Sequence, residues 1–295
     1  MHLLRMKLSL ILLATMLVLA SGCHKKNTEL PPKQSEANQA FDIAQAMKMF
    51  YGNYDLKTRT SVASLPKEKS SFPSAGEEQM TVRPLFQSFG GDAGARSFVL
   101  VTYAVPAGDS YDCHACAPTI GMAVYSRKGL KWTIDASNRA VTFAGGWGKP
   151  PMDIQLLQIG PNRRAVEVID SGGGQGETTK VLDLLIPWNG TVNLGLERII
   201  SDDDKGMCDP NGGLPCYANH RSVCFIRNDR FEYYVLELEL TGTDLPVSEA
   251  VPSMPARKVH GIETLKVENG KYIQVSRQGD LTTVDHAVAG RENLR

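Results

Sequence analysis

Three times in this chain a short turn ending in glycine separates two apolar, strand-like runs. Met122–Tyr125 and Leu130–Ile134 flank Arg127-Lys128-Gly129. Val181–Ile186 and Val192–Leu196 flank Trp188-Asn189-Gly190, and Ile262–Val267 and Lys271–Val275 flank Glu268-Asn269-Gly270. Tight hairpin turns need positive φ at their central positions. Asparagine and glycine tolerate that geometry and most residues do not, so these triplets are hairpin signals. Another strand-like run precedes each hairpin, at 97–104, 164–170 and 231–240. In the last of these, Tyr234, Leu236, Leu238 and Leu240 alternate with Val235, Glu237 and Glu239, the period of a half-buried strand. The expectation is a mainly β chain with an antiparallel β-rich domain over 95–277. A unit of strand, loop and hairpin recurs at spacings of roughly 65–80 residues, which reads as degenerate propeller-like repeats. An unrepeated antiparallel fold is the other reading.

One N-terminal helix is predicted ahead of this block, within 36–56. Ala40, Ala44, Met47 and Tyr51 recur at helical spacing from about Glu36 onward, with Phe41 and Ile43 beside them. Ser35 is placed to cap its start and Gly52 to close its end. The Ser-, Lys- and Pro-rich stretch that follows makes 57–94 an irregular connection. The polar residues 278–295 read as a tail that frays.

The first residues carry an address. Arg5 and Lys7 precede an apolar stretch from Leu8 to Ala20, and small residues follow it, which is the build of a secretory signal over 1–22. That apolar stretch is too short to span a membrane, and no later one reaches ~18 apolar residues. Leu19-Ala20-Ser21-Gly22-Cys23 resembles the lipobox of bacterial lipoproteins. The resemblance covers the first 23 residues. It implies cleavage after Gly22, acylation of Cys23 and a polar tether at 23–35 that includes Pro31-Pro32. His24, rather than Asp, follows the lipidated cysteine; in Gram-negative lipoproteins that implies the outer membrane, facing the periplasm. An ordinary signal cut that leaves Cys23 free for a disulfide is the alternative. Cleavage removes Arg5 and Lys7, so 30 basic residues stand against 32 acidic, a net charge of about −2. So even a balance gives no general attraction to nucleic acid.

Six cysteines are present: Cys23, Cys113, Cys116, Cys208, Cys216 and Cys224. An oxidising compartment favours pairing. Short separations and turn-rich interiors predict Cys113–Cys116 and Cys208–Cys216 as loop staples, with Cys224 a free thiol in the strand-like Ser222–Ile226. Two thiols spaced as in Asp112-Cys113-His114-Ala115-Cys116 also suit a redox disulfide. A thioredoxin-like use wants a helix after the motif, whereas Pro118 and Thr119–Met122 lead into a strand. Cys208 and Cys216 lack the tight knuckle a zinc site would need. Asp202-Asp203-Asp204, Asp209 and Asn211 offer oxygen ligands for calcium, without the EF-hand spacing. No two histidines are spaced as metal ligands on one element. The expectation is no metal and no cofactor.

Asp170-Ser171-Gly172-Gly173-Gly174-Gln175-Gly176 resembles the nucleophile segment of chymotrypsin-like proteases in its Asp-Ser-Gly-Gly. However, Ile169 stands where that family has Gly, and no Ala-Ala-His-Cys lies upstream. Ile169 equally breaks a Gly-x-Ser-x-Gly elbow, and the glycines do not end in the Lys-Ser/Thr of a P-loop. They read as a loop joining two strands, able to bring backbone close to a partner. Trp147, within Gly145-Gly146-Trp147-Gly148, is a candidate interface anchor, the other reading being a core tryptophan that shields the sheet end. Gly172, Gly173, Gly174, Gln175 and Gly176 join it as candidate binding-loop residues. The functional expectation is a lipid-anchored binding protein, not an enzyme, whose partner is another envelope protein such as a cell-wall enzyme. The competing class is a thiol oxidoreductase using Cys113 and Cys116, or a hydrolase of unrecognised type.

Overall fold

The computed structural model describes residues 41–65, 79–90, 97–108, 116–174, 176–209, 216–245 and 256–281. The signal segment, the tether, Cys23, Cys113 and Gln175 lie outside them. The described chain is mainly β, with one helix, α1 (Ile43–Tyr51), ahead of 13 strands in a mostly antiparallel sheet network.

The helix starts later than its apolar period suggests. Asp42 holds extended geometry and its carboxylate accepts the Gln45 N–H at 2.8 Å, so Asp42 and not Ser35 is the cap. Gly52 closes the other end in left-handed geometry, donating its N–H to the Lys48 carbonyl. Phe41, expected inside the helix, stands just before it and stacks on Trp132 with ring centroids 4.4 Å apart.

The first group of strands is β1 (Ser61–Ser64), β2 (Gln79–Gly90), β3 (Ser97–Pro106), β4 (Thr119–Lys128) and β5 (Lys131–Phe143), paired in chain order. β1 and β2 correct the expectation of an irregular connection over 57–94. Pro84 hid β2, because proline cannot donate to a ladder. The fold accommodates it at a register shift between Pro84 and Phe86, beyond the Gln79–Val82 segment that β1 covers.

The second group is β6 (Asp153–Gly160), β7 (Arg163–Gly174), β8 (Glu177–Trp188) and β9 (Thr191–Asp203). The third is β10 (Ala218–Ile226), β11 (Val235–Asp244), β12 (Arg257–Glu268) and β13 (Lys271–Gly279). With β2–β5, these make three four-stranded antiparallel meanders, so the recurring unit is present in the fold. They do not stand as separate blades. β5 meets β9 in parallel at Ser137 and Thr191, and the end of β9 pairs with the start of β10. The predicted polar tail also shrinks, since Gln278 and Gly279 belong to β13 and Leu281 is buried.

Strand alternation then sorts side chains into layers. Phe98 and Leu100 of β3 turn to one face, where they pack with Met47, Phe50 and Tyr125 under α1. Val99 and Val101 turn to the other, against Val166, Val168 and Leu185 of the second meander. The opposite face of that meander, with Leu182, Leu184 and Leu196, packs on Leu236, Leu238 and Leu265 of the third. Val181–Ile186 is therefore buried without a break, as a strand covered on both faces must be.

Candidate functional site

Each meander reverses direction at every connection. The connections after β3, β5, β7, β9 and β11 thus leave at one end, opposite the three glycine turns. The described parts of the loops singled out in the sequence lie at that end, but the meanders are staggered. Ser137, near the middle of β5, is level with Thr191 at the start of β9. Thr142, near the end of β5, donates its hydroxyl to Asp183 Oδ2 in the middle of β8 at 2.9 Å. From Asp183 to the turn before Glu177 is then about 20 Å, at ~3.3 Å per strand residue. The candidates form two groups on a step, not one cluster.

The lower group is built on Ala144–Pro150. Gly146 and Lys149 exchange backbone hydrogen bonds of 3.1 and 2.9 Å across Trp147 and Gly148, whose φ values are 55° and 67°. These are the positive φ angles of a tight hairpin turn. For a residue as bulky as Trp147, the left-handed region costs roughly 1–2 kcal/mol. The Gly148 N–H donates to the Cys116 carbonyl at 2.8 Å, which ties the turn to the cysteine segment. Trp147 itself is 49% exposed. Trp132 and Trp188 are instead partly buried, the first stacked on Phe41 and the second 5.8 Å from Tyr233 between ring centroids.

Cys116 is buried beside Val105 and Tyr103 and is disulfide-bonded. A redox nucleophile needs an accessible sulfur in an electropositive setting, so this burial suits a staple better than a reactive centre. Cys224 is disulfide-bonded as well, which corrects its reading as the free thiol. Alternation in β10 explains this. Val223 and Phe225 turn toward the third core, and Cys224 turns to the opposite, half-buried face, within reach of another sulfur.

The upper group departs from the predicted flexible loop. Gly172, Gly173 and Gly174 are ladder residues of β7, opposite Thr179, Thr178 and Glu177, and Gly176 follows in the connecting turn. Ser171 is likewise a strand residue, opposite Lys180. On the other side of β7, pairing with β6 ends at Asp153 and Ile169. Pro150 and Pro151, which carry no N–H, stand where β6 would otherwise extend. Among the described residues no strand covers the edge of Asp170–Gly174 on that side. No neighbouring heavy atom lies within 4 Å of where a Cβ would stand on Gly172 or Gly174.

Gly176 meets the acidic connection after β9. Gly206 donates its N–H to the Gly176 carbonyl at 3.0 Å, and a Cβ on Gly176 would stand 2.7 Å from Met207 Cγ. The connection orders itself around Asp204, whose carboxylate accepts the Tyr217 N–H at 2.7 Å and whose carbonyl accepts the N–H of Met207 and Cys208. The predicted Cys208–Cys216 disulfide closes it, with Cα atoms 5.0 Å apart. Burial, then the carboxylates of Asp202, Glu177 and Asp204, raises the Tyr217 pKa. Tyr217 thus stays a donor, giving its hydroxyl to Asp202 Oδ2 at 3.3 Å. Thr179 donates to the other oxygen of Asp202 at 2.9 Å. Of the aspartates considered for calcium, Asp202 and Asp204 thus accept hydrogen bonds from Thr179 and Tyr217, and Asp203 accepts the Lys205 N–H at 3.3 Å. Among the described residues no group of three His, Cys, Asp or Glu side chains is placed to hold a metal, and no helix is long and apolar enough to cross a membrane.

The sequence named Trp147 and the Gly172–Gly176 run but missed the strain at Trp147 and the Gly172–Gly174 edge that no described strand covers. The Pro150-Pro151 pair was the signal for the second. No protein-family model, curated protein or solved structure matches the chain.

Proposed function

We propose that this chain is a lipid-anchored, periplasm-facing binding protein of the outer membrane, and that it engages another envelope protein, such as a cell-wall enzyme, through the stepped loop end of its stacked meanders. The observation that carries this reading is Trp147. A bulky aromatic is held in left-handed backbone geometry at the tip of a tight turn, and half its surface faces solvent. Backbone strain in an ordered turn gathers where a side chain must be displayed, and exposed tryptophan is a strong interface anchor. The Gly172–Gly174 edge, which no strand covers among the described residues, supports the same reading, because a strand edge without side chains lets a partner's backbone approach.

Trp147→Ala is expected to weaken partner capture from the native envelope by ~2 kcal/mol or more, about thirtyfold, with the melting temperature nearly unchanged. A loss of folding with no selective loss of capture would place Trp147 in the core and remove the site. The anchor has its own test. Cys23→Ser is expected to release the protein from the membrane fraction or leave it unprocessed. A serine variant that is processed and sediments with membranes like the parent would end the lipoprotein reading.

A further inference from the structure

Pairing of β7 with β6 ends at Ile169, while its ladder with β8 runs on to Gly174. Over Asp170–Gly174, β7 thus has a strand on one side alone among the described residues. The connection from β7 to β8 is two residues long and is closed by Gly174 and Glu177. Across such a turn the first closing residue accepts from the N–H of the second, and hydrogen-bonded pairs then alternate along the ladder. Gly174, Gly172 and Asp170 therefore give their backbone groups to β8. Ser171 and Gly173 turn theirs to the open side, and both residues are exposed. Backbone donors and acceptors are thus in place along an edge that carries almost no side chains.

The surroundings of this edge describe its occupant. At the foot, where the Trp147 turn passes into β6, Met152 is 89% exposed. At the top, Met207 stands beside Gly176 and is 50% exposed. The same top carries Glu177, opposite Gly174, and Asp202, Asp203 and Asp204 where β9 ends. Among the described residues no Lys, Arg or His forms an ion pair with any of these carboxylates. Lys180 and Lys205, their neighbours in the chain, are exposed and leave them uncompensated. Apolar side chains at intervals and lysine or arginine toward the upper end suit these surroundings; an acidic segment does not.

We propose that this edge takes up an extended, basic segment of the partner protein as an added strand beside Ser171–Gly173, in the line that β6 leaves at Asp153. The proposal rests on the reading of this end as the binding face. The segment's backbone bonds to Ser171 and Gly173 supply affinity, and its basic side chains meeting Glu177 and Asp202–Asp204 supply selectivity. At ~3.3 Å per residue the open edge from Ile169 to Gly174 is about 17 Å long, room for about five partner residues.

Amide exchange at Ser171 and Gly173 in the full chain, in mild detergent, tests this. The probe is the peptide Lys-Val-Lys-Val-Lys-Val-Lys. Its glutamate counterpart and the same lysine peptide N-methylated along its length are the controls. Both amides should exchange freely in the chain alone and about tenfold or more slower with the lysine peptide, less so as salt is raised. Neither control should slow them. Slow exchange in the chain alone would mean that a segment of this chain already fills the edge, and would overturn the proposal. So would equal slowing by the glutamate peptide, equal binding of the N-methylated one, or no slowing by the lysine peptide. Ser171→Pro removes an N–H from the open side and leaves the β8 ladder its bonds, so the melting temperature should hold. Peptide binding and partner capture should each fall about tenfold or more. Capture that survives Ser171→Pro but is lost in Trp147→Ala would strike this edge and leave the binding face standing. Capture that survives both would strike the face itself.

Discussion

Replacing Glu263 with alanine is expected to destabilise the fold by about 3–5 kcal/mol, the penalty typical of breaking a buried ion pair from one side. Glu263 of β12 is 1% exposed, and its carboxylate lies 3.3 Å from Arg221 Nη2 of β10 and 3.6 Å from Arg198 Nε of β9. Arg221 is 2% exposed and also donates to the Ile199 carbonyl at 2.9 Å. The cluster therefore pins the third meander to the second from inside their shared core. Removing the carboxylate keeps the guanidinium buried and deletes the charge that compensated it. The double variant Arg221→Met with Glu263→Leu should recover most of the loss, because an apolar pair of similar volume needs no desolvation of ions. Urea unfolding of the three chains reads both effects. A single variant within 1 kcal/mol of the parent would mean that water reaches the cluster and that it does not fix the packing of these sheets.

Phe98→Ala is expected to cost about 3–5 kcal/mol as well, for a different reason. Phe98 is wholly buried at the centre of an aromatic group, with ring centroids 4.8 Å from Phe89, 5.2 Å from Phe41 and 5.9 Å from Tyr125. The same region fastens α1 to the sheet. Tyr125 donates its hydroxyl to the Ala46 carbonyl at 2.8 Å, and Tyr51 shares a 2.8 Å hydrogen bond with Thr102. Arg139 reaches the carbonyl of Phe50 with Nε at 3.1 Å and Nη2 at 2.5 Å, which satisfies the end of the helix. A cavity at Phe98 should loosen the helix before it loosens the second meander. Amide exchange in α1 should accelerate more than in β8. Equal acceleration in both would show that the helix and the stacked sheets open as one unit.

Much of this architecture was legible in local chemistry. Asn189-Gly190 and Asn269-Gly270 carry the positive φ values that their turns demand, and Gly52 closes the helix where the apolar period ends. What misled was context. Ser35 sits at the edge of an apolar period, but the helix starts where Asp42 can bond Gln45, a choice that tertiary packing of Phe41 decides. Pro84 and the lysine- and serine-rich stretch before it obscured β2, because the sequence does not say that this part of the strand lies past its β1 partner. Gly172–Gly174 looked like a loop because glycine has low strand propensity, yet β8 supplies a full ladder opposite. Cys224 looked like an internal thiol because its neighbours are apolar, and alternation sends it to the other face. The loops opposite the glycine turns could be named one by one. Their separation into two levels follows from the Ser137–Thr191 stagger, which no local pattern encodes.

Partner docking at the stepped loop end is a proposal with a direct test. A photoreactive amino acid placed at position 147 in the full chain, in its native envelope, tests it most directly. The same probe at Lys266, exposed on the outer face of the third meander, serves as the reference. A discrete adduct with a second protein is expected from position 147 and none from position 266. Adducts from position 266 with none from position 147 would contradict it, and would move the binding surface from the loops to a sheet face.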